Sequence, residues 1–386
     1  MKKIFIIGIL LLMVILNIKV SAQVITDGNL DVAIDEKEIC PNAKSAILFE
    51  SKSNSLMYEQ DMNLRLPPAS MTKIMTLLLI YEAMENNVIE MGTIITISEN
   101  AKSQEGSRAF LSVGEQISVE ELIKCICIAS ANDAAVAMAE AICGSEEVFV
   151  EKMNKKVKDL GLKNTLFSDC TGLSSKNHYT SAYDMAIISD ELLDKYPSVL
   201  TYTNIKEDYI RKDSDKPFWL VNTNKLLGRV KGINGLKTGY TSFSGYCITL
   251  HMEKNGMSLI SVVMGYNDSK VRNGESVKLL NYGANNYKLE TIIKKYDVIK
   301  SIDTLLYKNK INMIVEEDIC FLTKKGDKFN YEYKINYVLT DKFDGYIELF
   351  VNDNLINKYP LILKEELVKR NIFEIVFQLF KSIFCI

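Results

Sequence analysis

A serine and a lysine stand three residues apart where the sequence predicts the start of a helix. Ser70 follows Pro67-Pro68-Ala69, and the residues after it have helical periodicity over Met71–Glu85. Lys73 therefore lies one turn further along the same helix face, within reach of the serine hydroxyl. A serine becomes a nucleophile when a neighbouring base takes its proton, and a lysine can be that base only if its pKa is lowered. The pair alone is a weak signal, because an ordinary helix start can carry the same residues.

Two further short patterns stand where they could complete such a site. Ser130-Ala131-Asn132 falls between two predicted helices, Val119–Ala129 and Asp133–Cys143, where a hydroxyl and an amide could face a cleft. Lys237-Thr238-Gly239 falls on a predicted strand, after the turn residues Asn234-Gly235. Each pattern by itself arises by chance in many proteins. Their order, their intervals and their structural contexts together indicate a serine acyl-transfer site.

Other catalytic chemistries find less support in the sequence. A Ser-His-Asp hydrolase would need one of the two histidines, but His251 fits a strand in the core and His178 fits a structural position before a helix. The eight cysteines have no spacing typical of a disulfide framework and are predicted to be buried free thiols. No Cys/His cluster has zinc spacing, so we expect no metal and no cofactor. The formal net charge of −3 gives no reason to expect a nucleic acid partner.

The order of the predicted elements indicates an α+β fold. A β-hairpin over residues 45–60 and three strands within residues 235–266 enclose a run of helices. This order predicts one antiparallel sheet covered by a helical cluster, in a catalytic domain of residues 23–292. Short alternating strands with polar turns then predict a small all-β domain of residues 295–362.

The two ends of the chain predict export and attachment to a membrane surface. Two lysines precede the apolar run Ile4–Ile18, and Val20-Ser21-Ala22 resembles a signal-peptidase site, so residues 1–22 are predicted to be a signal peptide. The alternative is an uncleaved membrane anchor, although the apolar run is short for a spanning helix. Residues 363–386 predict an amphipathic helix whose wide aromatic face suits a membrane interface. Its alternative is packing on the β domain.

The chain resembles the serine D-alanyl-D-alanine carboxypeptidases among the low-molecular-mass penicillin-binding proteins. The resemblance covers nearly the whole chain, and beyond the three motifs it is carried by PPASMTKIMT, SVEELIKCICIASANDAAVAMAE, FVEKMNKKVKDLGLKNTLF, NTNKLL, GLKTGYT and GYCITL. It implies a penicillin-binding/β-lactamase-like transpeptidase fold and an enzyme that removes the terminal D-alanine of peptidoglycan stem peptides. It further implies that β-lactam antibiotics are covalent inhibitors and that the enzyme works at the extracytoplasmic face of the cell membrane.

The resemblance also implies a role for each residue of the first two motifs. Ser70 would attack the carbonyl between the two terminal D-alanines and form an acyl-enzyme, with Lys73 as general base. Ser130 would relay a proton to the departing D-alanine, and Asn132 would hydrogen-bond the substrate amide and the lysine. The backbone N–H groups of Ser70 and Tyr240 would form the oxyanion hole.

The resemblance implies that the third motif holds the substrate. Lys237 would keep the site electropositive, Thr238 would bind the terminal carboxylate, and the strand through Gly239 and Tyr240 would pair with the peptide. Arg272 resembles a family arginine that supports carboxylate recognition. The cations of the site would also lower the pKa of the basic lysine. A glycine suits a strand position where a ligand backbone must come close, which is the expectation for Gly239.

Three other functions share part of this evidence. A D,D-endopeptidase that cuts peptide cross-links would use the same fold and nucleophile. A β-lactamase of the most similar kind needs a glutamate to activate the deacylating water, and residues 163–175 contain none. A non-catalytic cell-wall or sporulation scaffold would not require the intact set of site residues. The carboxypeptidase is therefore the main hypothesis.

Overall fold

The protein is described from a computed structural model that covers residues 38–173, 177–339 and 343–384. The signal peptide predicted for residues 1–22 lies outside this part. The strands up to residue 266 are β1 (Ser45–Glu50), β2 (Ser55–Gln60), β3 (Ile94–Thr96), β4 (Gln116–Ser118), β5 (Glu207–Ile210), β6 (Phe218–Val221), β7 (Ile233–Thr241), β8 (Gly245–Lys254) and β9 (Met257–Tyr266). The helices up to residue 286 are α1 (Lys73–Glu85), α2 (Glu99–Ser103), α3 (Val119–Lys124), α4 (Asn132–Cys143), α5 (Glu146–Asp159), α6 (Ala182–Lys195), α7 (Leu200–Thr203) and α8 (Ser269–Asn286).

The central sheet has five antiparallel strands in the order β2-β1-β9-β8-β7. Its middle strands are buried on both faces, because successive side chains point to opposite sides and each side is covered by helices. In β1, Ile47 and Phe49 belong to the large core that contains α1 and α6. Leu48 points the other way and meets α8 at Gly283, where a Cβ would lie 2.5 Å from its side chain. The predicted α+β fold, an antiparallel sheet with a helical cluster, is confirmed.

The helix boundaries near the motifs differ from the sequence prediction in an informative way. The helix predicted from Met71 begins as a 3₁₀ turn, Ala69–Thr72, before α1. The helix predicted over Val119–Ala129 is α3 followed by a π-helical turn, Cys125–Ala129. The 3₁₀ turn contains Ser70, and the π-helical turn directly precedes Ser130. This placement is typical of functional sites, since π-turns reorient the residue that follows them.

Residues 287–363, which follow α8, form an all-β region, as predicted. Its strands are β10 (Tyr287–Ile293), β11 (Val298–Ile302), β12 (Ile311–Ile314), β13 (Ile319–Lys324), β14 (Tyr331–Leu339), β15 (Phe343–Val351), β16 (Asn354–Pro360) and β17 (Ile362–Leu363). They form three small antiparallel sheets, β10-β13, β11-β12-β17 and β14-β15-β16. A separate small core, which includes Val315, Phe321, Ile347 and Leu349, fills the space between them. The division of the chain at residues 292–295 stays a prediction.

A last helix, α9 (Ile372–Phe384), follows the β region. Its start is fixed by Asn371 and Glu374, each of which accepts a hydrogen bond from the other's backbone N–H at 2.9 Å. An ion pair of 2.7 Å between Lys308 and Glu374 ties this first turn to the β region. Phe373 is 83% exposed, and Phe377 and Phe380 are exposed as well. A search of the described residues finds no helix with the length and apolar character needed to cross a membrane.

Candidate active site

The proposed nucleophile and base lie where the 3₁₀ turn runs into α1. Lys73 is completely buried, and its Nζ lies 3.2 Å from Ser70 Oγ. The same nitrogen donates to Asn132 Oδ1 at 2.6 Å and to the carbonyl oxygen of Thr171 at 2.7 Å. These contacts use all three N–H donors of an ammonium group. The structure thus brings the first motif and the amide of the second motif together around one nitrogen.

Burial changes the acid–base chemistry of Lys73. Loss of solvation penalises the charged form and lowers the pKa of Lys73 to about 8, although the carboxylates of Asp169 and Asp133 act in the opposite direction. The sequence analysis attributed this lowering to neighbouring cations. In the structure, desolvation is the largest cause of the lowering. At a pKa of about 8, a lysine has an appreciable neutral fraction near neutral pH.

The second motif holds its serine in a strained and unsatisfied state. Ser130 follows the π-helical turn with φ +62°, a left-handed backbone conformation that costs a non-glycine residue about 1–2 kcal/mol. Its side chain is 3% exposed, and Oγ is buried without a hydrogen-bond partner. Buried polar atoms are almost always paired, so a strained residue with an unpaired hydroxyl indicates a group that awaits a ligand.

The loop of residues 105–111 is hydrogen-bonded to Asn132 of the second motif and to Asp133 beside it. Asn132 donates from Nδ2 to the carbonyl of Glu105 at 2.6 Å and from its backbone N–H to the carbonyl of Ser107 at 2.7 Å. The buried carboxylate of Asp133 accepts from the backbone N–H groups of Ala109 and Leu111. These bonds fix the orientation of the Asn132 amide, with its oxygen toward Lys73.

The third motif lies on β7, at the edge of the central sheet. Lys237 is buried and donates from Nζ to the carbonyl of Thr238 at 3.1 Å. Burial lowers the pKa of Lys237 well below its usual range, and the positive charges of Lys73 and Arg272 lower it further. The amine of Lys237 therefore lies within electrostatic range of both Lys73 and Arg272. An edge strand also has backbone groups available for pairing with an extended peptide.

Gly239 is explained by the protein's own backbone. A Cβ at this position would lie 2.6 Å from the carbonyl oxygen of Pro68 and 3.3 Å from the backbone nitrogen of Met71. The sequence analysis expected a close approach by a ligand instead. The structure adds a reason of its own, because the glycine lets β7 lie directly against the 3₁₀ turn that carries Ser70; the approach of a ligand stays a prediction. This contact brings the first and third motifs together.

Tyr240 and Arg272 lie at the end of the same strand pair. Tyr240 is exposed and stacks on Tyr246 of β8, with ring centroids 4.2 Å apart. Arg272 is buried, donates to the carbonyl of Cys247 at 3.0 Å and lies over the Tyr246 ring at 5.9 Å. Its guanidinium therefore holds β8 and adds positive charge beside Lys237.

The turn Asp169–Leu173 is a part of the site that the sequence analysis missed. Its Thr171 carbonyl binds Lys73, and its Asp169 carboxylate accepts from the backbone N–H groups of Thr171 and Gly172. Gly172 has φ +90°, and a Cβ there would lie 1.9 Å from the carbonyl oxygen of Ala69. The Thr171-Gly172 pair predicts a turn, but it does not identify a carbonyl as a ligand.

His178 has the structural role that its position suggested. Thr72 Oγ1 donates to the carbonyl of Ala69 and lies 2.7 Å from His178 Nε2, so the imidazole must donate from Nε2. Nδ1 then accepts from the backbone N–H of Ser168 at 3.1 Å. Burial lowers the pKa of His178, which favours this neutral form. The histidine thereby joins the nucleophile turn to the Asp169–Leu173 turn. His251 is buried in β8, as predicted.

Comparison with known proteins adds independent evidence. A family described as D-alanyl-D-alanine carboxypeptidase matches residues 33–268. The chain is 43% identical over 342 residues to D-alanyl-D-alanine carboxypeptidase DacF of Bacillus subtilis (strain 168), covering 86% of this chain and 87% of the relative. It is 31% identical over 361 residues to D-alanyl-D-alanine carboxypeptidase DacA of Escherichia coli (strain K12), covering 89% and 88%. The structure of penicillin binding protein 5 from Haemophilus influenzae matches with a TM-score of 0.72 and 30% identity, over 85% of this chain and 98% of that one.

Proposed function

The chain belongs to the D-alanyl-D-alanine carboxypeptidase family, and on that premise we propose that it cleaves the terminal D-alanine from peptidoglycan stem peptides through an acyl-enzyme on Ser70. The observation that carries this proposal is the set of contacts around Lys73. When the amine is neutral, Asn132 Oδ1 and the Thr171 carbonyl retain its two N–H groups, and the lone pair is directed at Ser70 Oγ. The amine is then placed to take the serine proton.

Acylation follows from this geometry. Ser70 Oγ bonds to the carbonyl carbon of the penultimate D-alanine while Lys73 takes the serine proton. Ser70 and Tyr240 supply the backbone N–H groups that bind the oxygen on which negative charge develops. The C–N bond then breaks: the unpaired hydroxyl of Ser130 gives its proton to the departing amine and takes in its place the proton that Lys73 received, so that Lys73 is neutral again. Water completes the cycle by hydrolysing the ester, with Lys73 as its base, and releases the shortened peptide.

The same groups explain why the substrate ends in a carboxylate. Arg272 adds positive charge, Lys237 offers an amine near it, and Thr238 offers a hydroxyl on the edge strand. A penicillin has a cyclic amide and a carboxylate in a similar arrangement, so it enters the same site and acylates Ser70. Because the family's acyl-enzyme is the common intermediate, peptide cleavage and penicillin binding are expected to depend on the same residues.

A labelling experiment tests this assignment. We expect one fluorescent penicillin to be bound per parent molecule and none by Ser70→Ala, because the hydroxyl is the atom that forms the bond. The matched control is Ser261→Ala, which removes a buried serine hydroxyl on β9, outside the three motifs, that has no hydrogen-bond partner. It is expected to label like the parent. The two variants are compared by gel fluorescence after equal exposure.

The parent protein must also release free D-alanine from a pentapeptide faster than it hydrolyses penicillin. Rapid penicillin turnover would favour a β-lactamase. Cleavage of cross-linked dimers without D-alanine release from pentapeptide would favour the endopeptidase. Labelling of Ser70→Ala would refute the nucleophile assignment.

We further propose that the enzyme acts outside the cytoplasm at the membrane surface, with α9 lying in the interface. The exposed aromatic residues Phe373, Phe377 and Phe380 support this proposal, because a soluble protein seldom exposes such side chains together. In the alternative arrangement, packing of α9 on the β region, the supporting contact is the ion pair between Lys308 and Glu374 at the first turn of the helix.

Removal of α9 is expected to convert a membrane-bound protein into one that stays in the supernatant. The truncation is best placed before Ile372, because upstream residues contact the β region, as in the backbone bond from Arg370 to the Leu306 carbonyl. In the full chain, Phe377→Glu is expected to weaken binding to lipid vesicles about tenfold or more, since burying a charge is costly. Gln378→Glu, a control on the polar side, is expected to bind like the parent. Equal vesicle binding by the parent, both variants and the truncated chain would contradict the proposal.

A further inference from the structure

The hydroxyl of Thr238, which is proposed to bind the substrate carboxylate, has a second hydroxyl beside it. Thr238 Oγ1 donates a hydrogen bond to Thr223 Oγ1 at a distance of 2.7 Å. Each threonine hydroxyl has one proton and two lone pairs. In this pair the Thr238 proton is used between the two residues, so the Thr223 proton is the one left to donate. A substrate carboxylate can only accept, and the hydroxyl that it meets must be a donor.

Hydrogen bonds of the neighbouring residue Asn222 hold Thr223 at this position. It lies between two buried asparagines, Asn222 and Asn224, and is itself half-buried. Asn222 Nδ2 donates to the carbonyls of Thr203 and Ile205, and Asn222 Oδ1 accepts from the backbone N–H of Asn224. The segment has no regular secondary structure, so these side chains satisfy backbone groups that a strand would otherwise pair. The result is a rigid support for one accessible hydroxyl.

Thr223 also links the two walls of the cleft. Its backbone N–H donates to the carbonyl of Ile128, two residues before Ser130, at 3.2 Å. Its side chain bonds to Thr238 on β7. Thr223 therefore lies where the strand that holds the peptide meets the loop that protonates the leaving group. That is the end of the cleft at which the leaving D-alanine and its carboxylate must sit.

We propose that Thr223 and Thr238 form a two-hydroxyl carboxylate site in which Thr223 is a substrate-specificity residue. The inference rests on the proposed carboxypeptidase function. When the carboxylate binds, Thr223 donates to it directly, or donates to Thr238, whose own proton then turns to the carboxylate. Either arrangement needs both hydroxyls, and linked hydroxyls polarise one another, which strengthens the bond to a charged acceptor.

The test compares two substrates that differ only at the group in question. One is a peptide that ends in D-alanyl-D-alanine, and the other ends in the corresponding D-alaninamide. In Thr223→Val, which keeps the shape and loses the hydroxyl, kcat/KM for the carboxylate peptide is expected to fall about tenfold or more, mainly through KM. The value for the amide is expected to change by less than about twofold. Thr223→Ser should restore the parent ratio.

The matched control is Thr203→Val, which removes a buried threonine hydroxyl next to the same support without touching the cleft hydroxyls, since Thr203 Oγ1 bonds to the carbonyl of Asn234. It is expected to lower thermal stability and leave the ratio between the two substrates unchanged. An equal fall for both substrates in Thr223→Val would show a purely structural role and overturn the inference, as would no change at all. A parent protein that releases no D-alanine would instead overturn the proposed function, and this inference with it.

Discussion

A Lys73→Arg variant is expected to react with penicillin at least about a thousandfold more slowly than the parent protein. Arginine keeps the positive charge and the N–H donors toward Asn132 and Thr171, but it does not lose its proton in proteins. If Lys73 served only as a fixed cation, much of the rate would survive this change. The second-order rate of acylation, measured by stopped-flow fluorescence with a labelled penicillin, separates the two roles.

The parent protein should show the titration of this lysine. The neutral amine is the active form, so the acylation rate rises as pH passes upward through the pKa of about 8. Roughly a tenth of the lysine is neutral at pH 7 and about nine tenths at pH 9, which predicts an increase of about tenfold followed by a plateau. The rise should be absent from the residual activity of Lys73→Arg.

Lys237 provides the matched control for the pH profile. Burial lowers the pKa of this lysine also, so either residue is a candidate for the titrating group. Lys237→Arg is expected to bind substrate less well and still show the rise near pH 8, because it keeps Lys73. If the rise were lost in Lys237→Arg and kept in Lys73→Arg, the base would be Lys237 and not Lys73, and the proposed mechanism would be overturned.

The side chains of this site were predictable from the sequence, because their roles require particular residue types at particular places. A serine and a lysine on one helical turn, a polar triplet between helices and a Lys-Thr-Gly strand each predict a local geometry. The structure brings these elements into contact through Lys73 with Asn132 and through Gly239 with Pro68. The α+β order was likewise predictable, since strand and helix periodicities differ along the chain.

The parts that depend on backbone position were not predictable. The Thr171 carbonyl binds Lys73, but every residue has a carbonyl, so no pattern distinguishes this one. The cause of the lowered Lys73 pKa also lies in tertiary structure, because the burial of Lys73 depends on the whole core around α1 and not on the residues next to it in the sequence. The hydrogen bond between Thr238 and Thr223 was not predictable either, because each hydroxyl could pair with many other groups and the sequence does not single out this partner. These features follow from packing, which sequence spacing alone does not determine.

A Gly172→Ala variant is expected to lose about 3 kcal/mol or more of the free energy of unfolding. The added Cβ would stand 1.9 Å from the carbonyl oxygen of Ala69 and 2.8 Å from Thr72 Oγ1, and neither atom is the free end of a flexible chain. Relief requires the Asp169–Leu173 turn to move away from the nucleophile turn. That movement would also withdraw the Thr171 carbonyl from Lys73. Any folded fraction is therefore expected to label poorly with penicillin.

Gly114→Ala separates this steric effect from backbone strain. Gly114 has φ +76°, close to the φ of +90° at Gly172, but no atom lies within 4 Å of its would-be Cβ. Its substitution should cost only the left-handed strain, about 1 kcal/mol, and leave penicillin labelling unchanged. Denaturant unfolding followed by circular dichroism gives both free energies, and gel fluorescence gives the labelling. Equal losses of stability in the two variants would mean that the Asp169–Leu173 turn can move away at little cost in free energy. The contact between Gly172 and Ala69 would then not hold the Lys73 site in place.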